Sequence, residues 1–530
     1  MKGILSFTRY IRLSEEPTSH VVFLALEAWG HTRPLCTLAL RLVQERQIYL
    51  TFFTTPNFAK RIDNEISRGL TPETEHLQSL IRVVALNLPD GFPVDPKQFK
   101  IYMDLFAEAY EKLVNNQSVT CASTGKEVKT VIAPDAAIMD FFCTPALETV
   151  HKISKKPVKV YAWMSGQAGF ITYPFGPVHR GGRGDLRPKV MEEVAKTGRP
   201  LVEVAQEILM TPTGAVIKTL SGIPPMYDHE LAPQLIPFNG IQGHLNLLMH
   251  SFIDQCDGIV LSTAQPYEPE AVAEVTAWFA ETSREVYTFG HLLPIGAGAS
   301  AGEQKDSEQS AEIVQFLQKT LETDGPESLL YISFGSIFWS TQPEKIWAFV
   351  DAVIERNVPF IFSHASPFAV IPDEIQAKVK AYGKGFLSKW SPQQTILAHP
   401  ATGWFVTHGG QNSVVEAITL GVPMICWPFD ADQPTNSARL SGALNVAYEL
   451  FEVRTDPHGL KPIHRLGRAP IGTIEAAREE AHSVLDNAFG EDGSRKRANM
   501  KKLQQEVTNT WNEDGPARRD LRRFIATLPQ

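Results

Sequence analysis

Hydrophobic and polar positions fall along this chain in blocks. Short runs rich in Val, Ile, Leu and Phe are separated by helix-length stretches in which apolar residues return every three or four positions. In the first half the runs predict strands at His20–Leu26, Tyr49–Thr55, Ile81–Leu86, Ala136–Met139, Val158–Trp163, Gly258–Thr263 and Glu285–Phe289. In the second half they predict strands at Leu329–Phe334, Pro359–Ser363, Gly385–Ser388, Gly403–Thr407 and Val422–Trp427. Near-continuous apolar strands alternating with helices are the pattern of parallel sheets covered on both faces. Between the two sets lies LLPIGAGASAGEQKDSEQS (Leu292–Ser310), whose Gly, Ala and Ser content reads as a flexible linker. The expected class is α/β, with two doubly wound domains facing a central cleft. The domains span 1–290 and 312–490, joined by a linker at 291–311 and followed by a helical tail at 491–530.

Two stretches lie outside that pattern. Tyr173–Pro225 contains HRGGRGD and a helical segment, and is a candidate cover for the cleft. The tail, SRKRANMKKLQQEVTNTWNEDGPARRDLRRFIATL, is basic and amphipathic. It is expected to pack by its apolar side, back toward the N-terminal domain. A membrane or nucleic-acid contact is the other reading of the same charge.

Composition narrows the classes further. The chain has 530 residues, 43% of them hydrophobic and 21% charged, which excludes a disordered protein. Its 50 basic and 59 acidic residues leave a net charge of −9, which argues against a general nucleic-acid binder. The five cysteines (Cys36, Cys121, Cys143, Cys256, Cys426) form no CxxC pair. That excludes a zinc ribbon and suits a reducing compartment. Arg9 and Arg12 interrupt the N-terminus before a signal-length apolar run forms, and no run reaches the roughly 18–20 residues a bilayer needs. The sequon Asn116-Gln117-Ser118 is read as chance. A cytoplasmic monomer or weak homodimer, with no nucleic-acid partner, is expected.

The chemistry concentrates in WSPQQTILAHPATGWFVTHGGQNSVVEAITLGVPMICWPFDADQ, from Trp390 to Gln433. Ser391 has the form of an N-cap, with Pro392 at the first helical position and Gln394 completing a capping box. Trp390 therefore sits at the carboxyl edge of a strand, where doubly wound sheets bind ligands. The strand Gly403–Thr407 runs into His408-Gly409-Gly410 and a helix from Asn412 to Leu420. Glycines at such a turn let phosphates approach the free N–H groups of the first helical turn, with His408, Asn412 and Ser413 placed to assist. Ser413-Val414-Val415-Glu416 also fits a capping box. Asp430-Ala431-Asp432-Gln433 follows the next strand. It could hold sugar hydroxyls or a divalent metal, or be a solvated turn.

Taken together, these residues resemble the nucleotide-sugar signature of the family 1 UDP-glycosyltransferases. Trp390, Pro392, Gln393, His399, Pro400, Gly403, His408, Gly410, Asn412, Ser413, Glu416, Gly421, Pro423, Pro428, Asp432 and Gln433 are in register with it. The resemblance implies a GT-B fold of two Rossmann-like domains. It places Trp390 on uracil and Gln393 near the base and ribose. His408, Gly410, Asn412 and Ser413 fall at the diphosphate, Glu416 at the ribose hydroxyls, and Asp432 and Gln433 at the sugar. A Gln at the last position goes with glucose, so UDP-glucose is the expected co-substrate, with no cofactor and no metal. Gln411 departs from the plant form, which carries Trp there, and brings the motif closer to fungal, bacterial or animal relatives. LLYISFGS (Leu329–Ser336) resembles the first strand and phosphate loop of the nucleotide domain, with Gly335 and Ser336 near the phosphates. The resemblance covers most of the chain and weakens over Tyr173–Pro225.

Transfer from a UDP-sugar needs a base to deprotonate the acceptor hydroxyl, and histidine suits that task near neutrality. His31 in Gly30-His31-Thr32-Arg33-Pro34, just past the first strand, resembles the family's catalytic base. Asp140, after Ala136–Met139, resembles the aspartate that fixes the base's tautomer. The alternatives are a helix cap at Asp140 and Asp135 as the partner. The expected reaction is inverting transfer to a lipophilic small molecule bearing a hydroxyl, such as a phenol, flavonoid, terpenoid or sterol. Phe92, Tyr102, Phe106, Phe141 and Phe142 are candidates to line its pocket or to fill the core. Two other classes share the doubly wound plan or the nucleotide site. A dinucleotide oxidoreductase would need GxGxxG where the chain reads Glu27-Ala28-Trp29-Gly30-His31. A non-catalytic UDP-sugar sensor would not need both His31 and Asp140.

Overall fold

The structure is a computed structural model that describes residues 16–89, 95–218, 220–236, 240–294 and 309–530. Most of the expected linker and Phe92 lie outside the described residues, as does the N-terminal stretch read for a signal.

Among the described residues, the N-terminal half builds a seven-stranded sheet from β1 (His20–Leu24), β2 (Tyr49–Thr54), β3 (Ile81–Ala85), β4 (Ala136–Asp140), β5 (Lys159–Met164), β6 (Gly258–Leu261) and β7 (Glu285–Thr288). Every pairing in it is parallel, in the order β7-β6-β5-β4-β1-β2-β3. The second half builds a six-stranded parallel sheet from β8 (Leu329–Ser333), β9 (Phe360–Ser363), β10 (Gly385–Ser388), β11 (Thr402–Thr407), β12 (Met424–Cys426) and β13 (Ala447–Glu449). Its order is β10-β9-β8-β11-β12-β13. Each order starts from an inner strand, runs outward to one edge, then returns to continue on the other side. This is the doubly wound plan, with one switch point beside β1 and another beside β8.

The apolar runs behave as parallel strands must. Alternate residues of β1 serve opposite faces, Val22 and Leu24 entering one core and Val21 and Phe23 the other. Leu330 and Ile332 of β8 likewise separate from Leu329 and Tyr331. Five strands among the described residues are too short to carry a pattern in the sequence. They are the edge strand β13 and the two-residue hairpin strands Val119–Thr120/Glu127–Val128 and Val216–Ile217/Met226–Tyr227.

The region expected to cover the cleft forms α-helices at Arg187–Thr197 and Leu201–Met210, and its small apolar cluster (Val190, Val204, Ala205, Leu209) packs on Leu247 of the helix Gln242–Gln255. The tail packs by its apolar side. Met500, Leu503 and Val507 of the helix Glu491–Thr508 join the second domain's core. Leu521, Phe524 and Ile525 of the terminal helix Pro516–Ala526 enter a core of the first. Its basic residues are paired internally, Arg518 and Arg522 with Glu45 and Arg523 with Glu285. The chain thus crosses back over the cleft. No helix among the described residues is long and apolar enough to cross a membrane.

Candidate active site

The first switch point is built on side chains. Past β1 the chain enters α1 (Trp29–Glu45), so His31 sits in a helix's first turn rather than in a loop. Pro34, inside that helix, has no N–H to offer the Gly30 carbonyl four residues back. The freed carbonyl instead accepts from the Asn412 side chain of the other domain. Asp140 closes β4 beside β1 and is fully buried. Its Oδ2 lies 2.6 Å from His31 Nδ1. Asp140 also accepts from the backbone N–H of Leu26 (3.4 Å) and Phe142 (3.3 Å). It does not cap the helix Thr144–Ile153, whose first residue follows Cys143. Asp135 serves elsewhere, accepting from the His20 N–H and pairing with Lys156.

The imidazole is thereby held with Nδ1 toward the carboxylate, leaving Nε2 as the basic nitrogen. Burial pulls the His31 pKa down, but Asp140 and, at longer range, Asp432 outweigh it and raise it above 6.5. Ser165 Oγ lies 3.0 Å from Nδ1, and the Trp163 indole donates to the His31 carbonyl (3.0 Å). Phe142 stands beside the ring at 5.6 Å between centroids. Of the other aromatic candidates, Tyr102 is buried with its hydroxyl on the Ala25 carbonyl, and Phe106 packs on Phe53 and Tyr110. Phe141 packs between Phe142 and Phe175. These three belong to the core.

The second switch point is built on backbone. Gly335, just past β8, has φ +75°, and a Cβ there would meet His408 at 2.9 Å. Ser336 is exposed in the same turn. Across from it, β11 leads through His408, Gly409 (φ +81°) and Gly410 into the helix Gln411–Leu420, with Gly410 as its N-cap. A Cβ on Gly410 would stand 2.5 Å from His408 Nε2, so only glycine lets the imidazole lie over this turn. Burial lowers the His408 pKa to about 4. Its imidazole is therefore neutral near pH 7 and can offer an N–H but no charge to an anion. The N-terminus of Gln411–Leu420 points its free N–H groups at the same crevice.

Both capping boxes read from the sequence are absent. The helix after Trp390 is Gln393–Ala398, with Pro392 as N-cap and the Ser391 hydroxyl unpartnered among the described residues. Ser413 lies inside its helix and cannot cap it. The side chains freed from those duties converge instead. Glu416 accepts from Gln393, from Gln394 (3.2 Å) and from Arg33 of the first domain. Gln393 also approaches Ser413 Oγ (3.3 Å), and Tyr331 donates to its carbonyl (3.3 Å). Arg33 is shared with Glu65 (2.9 Å), which also pairs with Arg68. Trp390 is 39% exposed, which rules out a core tryptophan, and Arg61 lies over its ring at 5.0 Å.

Asp432 and Gln433 follow β12. Gln433 turns its carbonyl inward to the N–H groups of Phe429 (2.8 Å) and Asp430 (3.2 Å). Asp432 faces the first domain and accepts the Gln167 N–H at 3.1 Å. Burial raises the pKa of Asp432, and of Asp430, to about 6. Two further residues bridge the domains, Gln411 to the Ser262 carbonyl (3.2 Å) and Tyr267 to Asn436 (2.7 Å). Arg33, Ser165, Gln167 and Gln411 belong to the cleft, yet for none of them is a role there legible in the sequence. Arg33 and Gln411 stand inside motifs, whereas Ser165 and Gln167 stand in none.

A histidine paired with a buried carboxylate at one switch point, and a glycine-lined helix N-terminus at the facing one, suit a transferase that moves a group off a phosphorylated carrier. The comparisons agree. The family model for "UDP-glucoronosyl and UDP-glucosyl transferase" matches residues 201–453. A UDP-glycosyltransferase (eriJ) of Hericium erinaceus is 28% identical over 94% of this chain and 96% of its own. Among solved structures, a UGT transferase from Siraitia grosvenorii in complex with UDP superposes with a TM-score of 0.67, at 20% identity, over 96% of this chain and 99% of its own. Phytolacca americana UGT2, complexed with UDP-2fluoro-glucose and pterostilbene, gives 0.64 at 20% identity over 97% and 100%. The chain has the GT-B fold, and its family-model match and its relatives are those of the family 1 UDP-glycosyltransferases. It is an enzyme that transfers a sugar from a UDP-sugar to a small-molecule acceptor.

Proposed function

We propose that the enzyme transfers glucose from UDP-glucose to a hydroxyl of a lipophilic small molecule, with inversion, giving a β-glycoside. The observation that carries this reading is the 2.6 Å contact between His31 and Asp140, on the domain face opposite Asp432. His31 Nε2 takes the acceptor's proton as its oxygen bonds to the anomeric carbon, and the bond to UDP breaks on the far side. Asp140 holds the tautomer and stabilises the cation that forms. The leaving diphosphate gathers charge, which the free N–H groups after Gly410, with Gly335, Ser336, His408, Asn412 and Ser413, are placed to receive. Trp390 offers a face to uracil, and Gln393 and Glu416 hold the ribose. Asp432 and the Gln433 amide hold the sugar.

Glucose is supported by Gln433 at the signature's last position and by the UDP-2fluoro-glucose bound in the Phytolacca americana protein. A lipophilic acceptor is supported by Phe142 beside the base. Metal independence is supported by the engagement of Asp432 with Gln167 and Asn436. All five cysteines are buried and unpaired, which supports a reducing compartment. The test is mass spectrometry of a mixed phenol, terpenoid and sterol panel incubated with UDP-glucose and EDTA. A hexose adduct is expected. Transfer only from another UDP-sugar, or only with added magnesium, would overturn the corresponding part.

A further inference from the structure

The Gln167 side chain is the part of the cleft that the family roles leave unused. Gln167 ends the turn Ser165-Gly166-Gln167 at the carboxyl edge of β5, immediately before the helix Ala168–Phe175. Its backbone N–H donates to Asp432 Oδ2 at 3.1 Å, and a Cβ on Gly166 would stand 3.2 Å from the same oxygen. The turn therefore lies directly against the carboxylate assigned to the sugar. The Gln167 side chain is fully buried, yet neither its amide oxygen nor its nitrogen has a hydrogen-bond partner among the described residues. Two orphaned polar atoms on one buried side chain are costly and uncommon in native proteins.

Helix capping does not account for them. A residue in this position ordinarily spends its side-chain oxygen on the free N–H groups of the first turn, and Gln167 makes no such bond. The work is done from a distance by Glu268. Its buried carboxylate accepts from the N–H groups of Ala168 (3.1 Å) and Gly169 (2.9 Å) and from the Thr263 hydroxyl (2.6 Å). The turn is thus held firmly against Asp432 while the amide it carries is left unspent.

We propose that Gln167 is a specificity-determining residue for the donor sugar, its amide completing hydrogen bonds to hydroxyls that Asp432 holds from the other side. An amide offers one acceptor and one donor group, which matches two neighbouring hydroxyls of a pyranose, one donating and one accepting. The inference rests on the reading of Asp432 as a sugar ligand. Because Gln167 comes from the half that carries His31, it meets the sugar only when the domains are closed, so discrimination registers in kcat/KM rather than in nucleotide affinity.

The test uses the full chain and the variants Gln167→Leu, Gln167→Met and Asp432→Asn. UDP-glucose, UDP-galactose, UDP-xylose and UDP-N-acetylglucosamine serve as donors with one acceptor. UDP affinity and melting temperature without ligand are measured alongside. Gln167→Leu and Gln167→Met should melt no lower than the parent, since they remove unpaired polar atoms, and should bind UDP within about twofold. They should lose about tenfold in kcat/KM for the best donor and change the ratios among the four. Unchanged donor ratios would overturn the proposal. So would a fall in UDP affinity equal to the fall in kcat/KM, or a lower melting temperature with equal losses on every donor. Asp432→Asn separates the two failures. If it too leaves the donor kinetics unchanged, the sugar reading of Asp432 falls and takes Gln167 with it. If it impairs them while the Gln167 variants do not, only the role of Gln167 falls.

Discussion

The two halves of the molecule place a histidine at the same topological point and put it in opposite electrostatic settings. His31 follows the first strand of one doubly wound sheet, and His408 follows the fourth strand of the other. Both are held against the cleft. His31 has Asp140 at 2.6 Å and Asp432 beyond, so its pKa rises despite burial. His408 has burial alone, and its pKa falls to about 4. A histidine with a raised pKa accepts protons near neutrality, whereas one with a depressed pKa stays uncharged and can only donate or accept a hydrogen bond. In the proposed reaction the first sheet supplies proton chemistry through side chains. The second is proposed to supply an anion cradle through Gly335, Gly409 and a helix N-terminus, where side chains would obstruct.

Exchanging the two losses breaks this comparison most sharply. His31→Ala should lower kcat at least about 10²-fold, the usual worth of a positioned general base. UDP affinity should be unchanged. His408→Ala should reverse the pattern, weakening UDP binding and sparing the pH profile. Kinetics together with UDP titration calorimetry would check both. Equal effects of the two variants on UDP affinity would mean that the histidines do not divide the labour.

A smaller effect should come from Asp140→Asn, about tenfold in kcat/KM, and it carries a pH signature. Protonated His31 cannot act as base, so kcat/KM falls on the acid side with a midpoint above the ordinary histidine value of 6.5. Without the Asp140 charge, burial meets less opposition and the midpoint should move to lower pH. The stability linkage runs the other way. The raised pKa of His31 contributes stability that is complete below pH 6.5 and fades as pH rises through the folded-state value. In Asp140→Asn that contribution should shrink. An acid limb that stays in place would transfer the limb to another group, with Asp432, near 6, first in line.

The sequence carried the architecture well and the contacts across the cleft poorly, for a physical reason. Parallel strands covered on both faces need long apolar runs, and such runs are visible without a partner. The strand β13 and the hairpins are too short to show one. His31, Asp140 and His408 were legible because each sits beside a strand end in a recognisable motif. The contacts of Ser165, Gln167 and Gln411 were not, since their partners lie well over a hundred positions away, on the same domain for Ser165 and on the facing one for Gln167 and Gln411. The expected capping boxes failed for the same cause. Local pattern assigned Glu416 to its own helix, whereas Arg33 and two glutamines claim it.

Arg33 offers the finest discrimination between the halves, because it stands beside His31 in the first domain and reaches into the second to hold Glu416. Its guanidinium is shared between Glu65 and Glu416, both carboxylates nearly fully buried. A ribose bound by Glu416 must take the place of that ion pair. Arg33→Met keeps the apolar stem, leaves Arg68 to pair with Glu65, and leaves Gln393 and Gln394 on Glu416. Part of the binding energy no longer goes to breaking a pair, so UDP affinity should rise a few-fold and lose some of its dependence on salt. kcat should fall by a similar small factor, because the closed arrangement that brings His31 to the donor loses a strut. Calorimetry of UDP binding across a salt series would decide it. A weaker affinity for UDP in Arg33→Met would make Arg33 a ligand of the nucleotide, and the division between a domain that moves protons and a domain that holds anions would then be less complete than the two histidines suggest.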